Sequence, residues 1–239
     1  MTAVGRALTA LVALALVPAI SSAARTPSTA RGHTAARVSP RDWSRSFAES
    51  GSGGFVTGNP NARLKVVEYG SLTCPHCRHF AQDAVEKFIG RYVRSGKVSY
   101  EFRPMVLNAT DLAATLLARC GGPSRFFPIA ATLYATQPEW TARNESVTEA
   151  ELAAIPDKLV ALRMAERAQL FAVARANGIA DKRARACLVD PAAQTRITQI
   201  HQDAIDSGVP GTPYFLVNGH KARIWDWSSL QKELGKAGG

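Results

Sequence analysis

Between Leu64 and Ile89 the apolar positions change their spacing. Leu64, Val66, Val67 and Tyr69 make a β-branched, largely apolar run, which predicts a buried strand. Gly70, Ser71 and Thr73 break it. Phe80, Ala81, Ala84, Val85, Phe88 and Ile89 then recur at three- and four-residue steps, predicting a helix with Pro75 near its start and an end near Gly96. Residues 98–103 alternate in the manner of a strand and stop at Pro104. Strand, helix and strand of these lengths predict a right-handed βαβ unit. Residues 53–57 suit a short strand before it, followed by a turn at 58–61.

The next hundred or so residues are almost all helical in pattern. A helix over 111–120, with Asp111 as its cap, is closed by Gly121-Gly122-Pro123. A second covers 126–135 and stops at Gln137-Pro138. A long segment over 157–177 opens after Pro156 and closes at Gly178. A shorter one spans 181–188, and Pro191 opens another that runs to Gly208. Strands return at 214–217 and 221–224 around an Asn218-Gly219 hairpin turn, before a closing helix over 228–234. The order βαβ, helical block, ββα predicts one α/β unit with an all-α subdomain inserted. There is no internal repeat and no second linker. Phe126, Phe127, Leu133, Tyr134, Trp225 and Trp227 are read as core.

The first residues read as targeting. A short positive start through Arg6, an apolar stretch over 7–20 and small residues at 22–24 have the layout of a secretory signal, 1–24, cleaved after Ala24. The apolar run is shorter than the ~20 residues of a membrane span. Residues 25–53, rich in Ser, Thr, Ala, Arg, Gly and Pro, read as a flexible leader. Within it Trp43 and Phe47 suit either one amphipathic turn docked on the body or part of the spacer. The formal charge of +10 is carried by arginines spread over several helices. It lacks the clustered basic face with interleaved aromatics that nucleic-acid binding wants, so no nucleic-acid partner is expected.

Chemistry enters with Cys74-Pro75-His76-Cys77, set where the strand turns into the helix. Cys74 falls at the helix start, where unpaired N–H groups and the positive end of the helix dipole favour an anion and lower a thiol pKa. His76 can donate a hydrogen bond or positive charge to the same sulfur. Cys77, one turn on, is placed to close or open a disulfide with Cys74. A metal site would need two further ligands; His76, His79 and His201 match no standard zinc spacing, and no metal is expected. Arg78 follows the second cysteine where haem attachment requires His. His79 reads as a surface or partly packed residue.

Cys74-Pro75-His76-Cys77 after Val67-Glu68-Tyr69, together with Gly211-Thr212-Pro213-Tyr214-Phe215-Leu216-Val217-Asn218-Gly219, resembles the DsbA-type thiol:disulfide oxidoreductases. The likeness runs from about Gly54 to the C-terminus. It implies a thioredoxin fold over 54–107 and 208–239 with a helical subdomain over 108–207. It implies further that Pro213 is cis, that the Thr212 backbone hydrogen-bonds an extended client, and that Glu68 is a buried proton acceptor beneath the cysteines. Taken by alternation alone, Glu68 could equally face solvent. Thr212 departs from the Val usual in the strongest oxidases of the family and leaves the redox poise open.

The activity implied is donation of a disulfide, through a mixed disulfide at Cys74, to exported proteins with free thiols in the periplasm. No bound cofactor, a monomer, and a membrane reoxidase of the DsbB type complete that picture. Cys120 and Cys187 are two leftover thiols in an exported chain. A structural disulfide between them, as some relatives have, is the expectation; two separate buried thiols are the alternative. Two other readings compete. One is a reductase or isomerase of the same fold, though family isomerases carry an N-terminal dimerisation domain for which the leader is short and polar. The other is an exported metal- or client-binding protein without redox turnover.

Overall fold

The computed structural model describes residues 41–238; the predicted signal over 1–24 and the first part of the predicted leader lie outside them. Six strands form one sheet: β1 (Phe47–Glu49), β2 (Phe55–Gly58), β3 (Leu64–Gly70), β4 (Val98–Pro104), β5 (Tyr214–Val217) and β6 (His220–Ala222). Their order is β1-β2-β4-β3-β5-β6. Only β3 and β4 pair in parallel, as the βαβ reading requires; every other neighbour is antiparallel. The sheet begins earlier than the leader boundary at 53 allowed. Trp43–Arg45 forms a 3-10 turn capped by Asp42, and Phe47–Glu49 pairs with β2 as an edge strand. A three-residue strand is too short to show period-two alternation against a polar background.

Between β3 and β4 runs the helix that carries the cysteines, α1 (Pro75–Phe80), which continues through helical turns to Val93 and is widened to π geometry at Ala81–Val85 and Ile89–Val93. Its buried Phe80, Ala84 and Phe88 pack on Leu64, Val66, Tyr100 and Phe215 of the sheet, with Leu230 and Leu234 of the last helix. On the opposite sheet face Val67 and Tyr69 pack with Ala204 and Val209. Period-two alternation along β3 therefore puts Glu68 on the α1 face with Leu64 and Val66.

Between β4 and β5 lie eight helices: α2 (Ala109–Arg119), α3 (Pro123–Ala135), α4 (Gln137–Ala142), α5 (Glu149–Ala153), α6 (Asp157–Arg167), α7 (Leu170–Ala176), α8 (Asp181–Leu188) and α9 (Pro191–Asp206). The chain closes with α10 (Trp227–Lys236). Three boundaries depart from the sequence reading. Asn108, not Asp111, caps α2, its side chain accepting the Asp111 N–H at 2.9 Å. Gln137-Pro138 does not end a helix but starts α4, with Pro138 in the first turn, where a missing N–H costs nothing. The long segment over 157–177 is two helices, broken at Gln169, which takes a left-handed φ of 58°. That exposed break turns Leu170 and Phe171 into the core. Trp225, read as core, is 56 % exposed, whereas Phe126, Leu133 and Tyr134 are buried. No helix among the described residues is long and apolar enough to cross a membrane.

Candidate active site

Cys74 is the N-cap of α1, with extended backbone, and Pro75 is its first helical residue. Cys77 is wholly buried and Cys74 keeps 5 % of its surface, so only the first cysteine touches solvent. Both are free thiols. The Cys74 thiol is pulled down to about 5. The largest cause is a hydrogen bond from the Cys77 thiol; the Thr212 side chain and the backbone N–H groups of Cys77 and His76 add to it, against the opposing effect of burial. Cys77 moves the other way, well above the ordinary thiol range, because it is desolvated and because its proton is shared with Cys74. The two sulfurs are thus differentiated by a helix turn: one is an anion at neutral pH, the other a thiol.

The loop containing Thr212 and Pro213 lies against Cys74. The Thr212–Pro213 bond is cis, and in its protonated form the Cys74 thiol donates to the Thr212 carbonyl at 3.4 Å. The Thr212 hydroxyl is buried with no other partner among the described residues, leaving its proton free for the thiolate. His76 acts through its backbone; its ring is exposed, as are Pro75 and His79.

Glu68 lies beneath, 2 % exposed, accepting the Tyr100 hydroxyl at 2.5 Å. Burial pushes its carboxyl up to about 8; the Tyr100 bond opposes this and the Cys74 charge reinforces it. Gly70 is required beside it. A Cβ there would run into the Phe102 ring and come within 3.0 Å of the Glu68 carboxylate. A carboxyl that is neutral near pH 7, under a cysteine that must gain or lose a proton, can relay that proton.

Three residues that sequence reasoning did not single out for this role hold the loop between β3 and α1, and all come from the helical insertion. Asp111, fully buried, accepts the Leu72 N–H at 2.9 Å through one oxygen and the Leu107 N–H at 3.0 Å through the other. Gln137 donates from Nε2 to the carbonyls of Leu72 at 2.8 Å and Cys74 at 3.0 Å. The Tyr134 hydroxyl donates to the Ser71 carbonyl at 3.1 Å. Buried backbone groups of a loop need such partners, and here they fix the turn that presents Cys74. Burial raises the Asp111 carboxyl to about 6, against its hydrogen bonds to Ser71, Leu107 and Leu72. The only signal in the sequence was Asn108-Ala-Thr-Asp111, whose first residue is the better cap.

Cys120 and Cys187 form a disulfide, Cα–Cα 5.7 Å, at the far end of α2. No group of three or more His, Cys, Asp or Glu among the described residues could hold a metal ion.

Residues 50–237 match the family described as Thioredoxin. The crystal structure of a protein-disulfide isomerase from Novosphingobium aromaticivorans is 28 % identical, with a TM-score of 0.70, over 77 % of this chain and 97 % of that one. That of Wolbachia pipientis alpha-DsbA1, 22 % identical with a TM-score of 0.61, covers 76 % of this chain and 91 % of that one and shares the fold. A Rickettsia prowazekii protein provisionally named a protein-disulfide oxidoreductase is 27 % identical over 77 % of this chain but only 61 % of its own length. This chain thus spans about three fifths of that curated relative. By the length of the family match the chain belongs to the thioredoxin family, and its fold, with the helical insertion, is that of alpha-DsbA1.

Proposed function

We propose that this chain is an exported protein-thiol:disulfide oxidoreductase that donates the Cys74–Cys77 disulfide to clients in the periplasm. One observation carries the reading: the solvent-touching sulfur is the one whose pKa is pulled down to about 5, while the buried one is kept as a thiol. A client thiolate attacks the Cys74 sulfur, the Cys74–Cys77 bond breaks, and Cys77 takes up a proton, for which Glu68 is the nearby donor. A second client thiolate attacks the client sulfur of the mixed disulfide and expels Cys74 as a stable thiolate, a good leaving group. The client loses two electrons and the Cys74–Cys77 pair gains them. Clients dock as an added strand on the Thr212 backbone. Turnover needs an electron acceptor; a DsbB-type membrane partner fits, and the chain acts as a monomer.

Isomerisation is the second reading, favoured by the isomerase name of the Novosphingobium protein and by Thr212 before the cis-proline. Two measurements on the full chain separate them. The Cys77→Ala variant should trap client proteins as mixed disulfides at Cys74, and the reduction potential should lie well above the roughly −270 mV of thioredoxin. A thioredoxin-like potential combined with fast unscrambling of a wrongly paired substrate assigns isomerase or reductase activity instead. A variant that traps nothing removes the redox reading altogether.

A further inference from the structure

At the opposite end of α2 from the Cys74 loop, arginines from three helices converge. Arg119, the last residue of α2, lies with its guanidinium 3.7 Å from the centre of the Phe55 ring and donates from Nη2 to Glu49 at 3.3 Å. Its Nη1 is buried and has no partner among the described residues. Arg196 of α9 donates to the Gly51 carbonyl at 3.3 Å and approaches the same Glu49 oxygen at 3.9 Å. Gly53 makes room for it, since a Cβ there would fall 2.6 Å from the Arg196 guanidinium. Arg183 of α8 has no ion pair among the described residues. The three line one cavity of about 340 Å³ whose wall includes the Cys120–Cys187 disulfide.

The charges in this cavity do not balance. Two carboxylates reach it, Glu49 and Asp190. Glu49 is shared by two guanidiniums, and Asp190 is engaged with the N–H groups of Ala192 and Ala193 as the cap of α9. Burial lowers the Arg119 pKa to about 10, and the neighbouring Arg196 charge pushes in the same direction while Glu49 opposes both. A buried guanidinium N–H without an acceptor is costly. The volume lies at the small end of the ~300–1,000 Å³ of ligand pockets, room for a compact molecule rather than a peptide.

We propose that this cavity binds a small polyvalent oxyanion, with Arg119 Nη1 and the guanidiniums of Arg196 and Arg183 as its donors. Carboxylate and phosphate oxygens are both suited to such forks. The site is separate from the dithiol and owes nothing to the redox reading.

Titration calorimetry on the full chain, with the Cys120–Cys187 disulfide intact, tests it with citrate and with inorganic phosphate at ionic strength balanced by sodium chloride. One saturable site for either probe is expected, and the probe that binds tighter identifies carboxylate or phosphate as the source. Arg119 is part of the Phe55 packing, so the informative variants are Arg196→Gln and Arg183→Gln. Each should weaken binding at least tenfold while leaving the Cys74 alkylation rate at the wild-type value. Glu49→Gln removes the competing carboxylate and should tighten binding several-fold. The proposal is overturned if both probes act no differently from chloride, if binding survives unchanged in both arginine variants, or if Glu49→Gln fails to tighten it.

Discussion

The differentiated sulfurs add a pH-dependent stability to the reduced protein that the oxidised one lacks, and pH should expose this. Cys74 has a folded-state pKa of about 5 against an ordinary 9.0. A depressed pKa adds stability that is complete above the unfolded value and is lost as pH falls through the folded one. At pH 7 the chain is two units above the folded pKa, so the thiolate contributes at most about 2.7 kcal/mol, at ~1.36 kcal/mol per unit. At pH 4 it contributes almost nothing. The oxidised form has no such thiolate and gains none of it. Converted at roughly 30 mV per 1.4 kcal/mol, the same energy raises the reduction potential by about 60 mV at pH 7. Glu68 subtracts from this figure, because its ionisation and that of Cys74 oppose each other only in the reduced state. The assay is guanidinium unfolding of both redox forms at pH 4 and pH 7. The reduced-minus-oxidised stability difference should grow by about 2 to 3 kcal/mol, the size just worked, and Glu68→Gln should enlarge that growth. A difference that stays flat between the two pH values would refute the assignment of the anion to Cys74.

Three further outcomes follow from the side chains that hold the Cys74 turn and from the Cys120–Cys187 disulfide. Asp111 has its pKa raised to about 6 from 3.8, so its contribution is intact below 3.8 and is lost as pH rises through 6; unfolding curves at pH 3.5 and 7.5 should therefore show the stability of Asp111→Asn gaining about 3 kcal/mol relative to wild type across that range. Gln137→Leu leaves the Leu72 carbonyl without its donor and should cost about 1–3 kcal/mol, and thiolate absorbance at 240 nm should show the Cys74 pKa rising as its turn loosens. Cys187→Ser opens a loop of sequence separation 67 and should lower stability by about 4 kcal/mol in denaturant, with the Cys74 titration unchanged.

The sheet and most helices were legible because their periodicities are long and punctuated. Strand β3, helix α1 and strand β4 carry enough apolar positions to fix both type and order, and Asn218-Gly219 sits where the hairpin turns, with positive φ at both residues. The break at Gln169 was not legible, because neither Gly nor Pro marks it and the gain comes from burying Leu170 and Phe171. The face taken by Glu68 depended on register, and pairing with Phe102 and Phe215 settles it. Gln137 carried no signal at all: its partner Cys74 is 63 residues away, and a helix-start glutamine beside a proline reads as a boundary. A residue whose work is to hold another residue's backbone is visible only once the two have been brought together.

The turn that presents Cys74 is held by side chains encoded well downstream of it, and its cis-proline neighbour comes later still. A ribosome making this chain releases Cys74 long before Asp111, Tyr134, Gln137 and Thr212. Until those arrive, the nascent thiol has none of the contacts that set it apart, and its reactivity is that of any unstructured cysteine. Chemical competence thereby waits for a residue 138 positions downstream of the cysteine it serves, so that the acidity of the sulfur belongs to the folded whole and not to the segment that carries it.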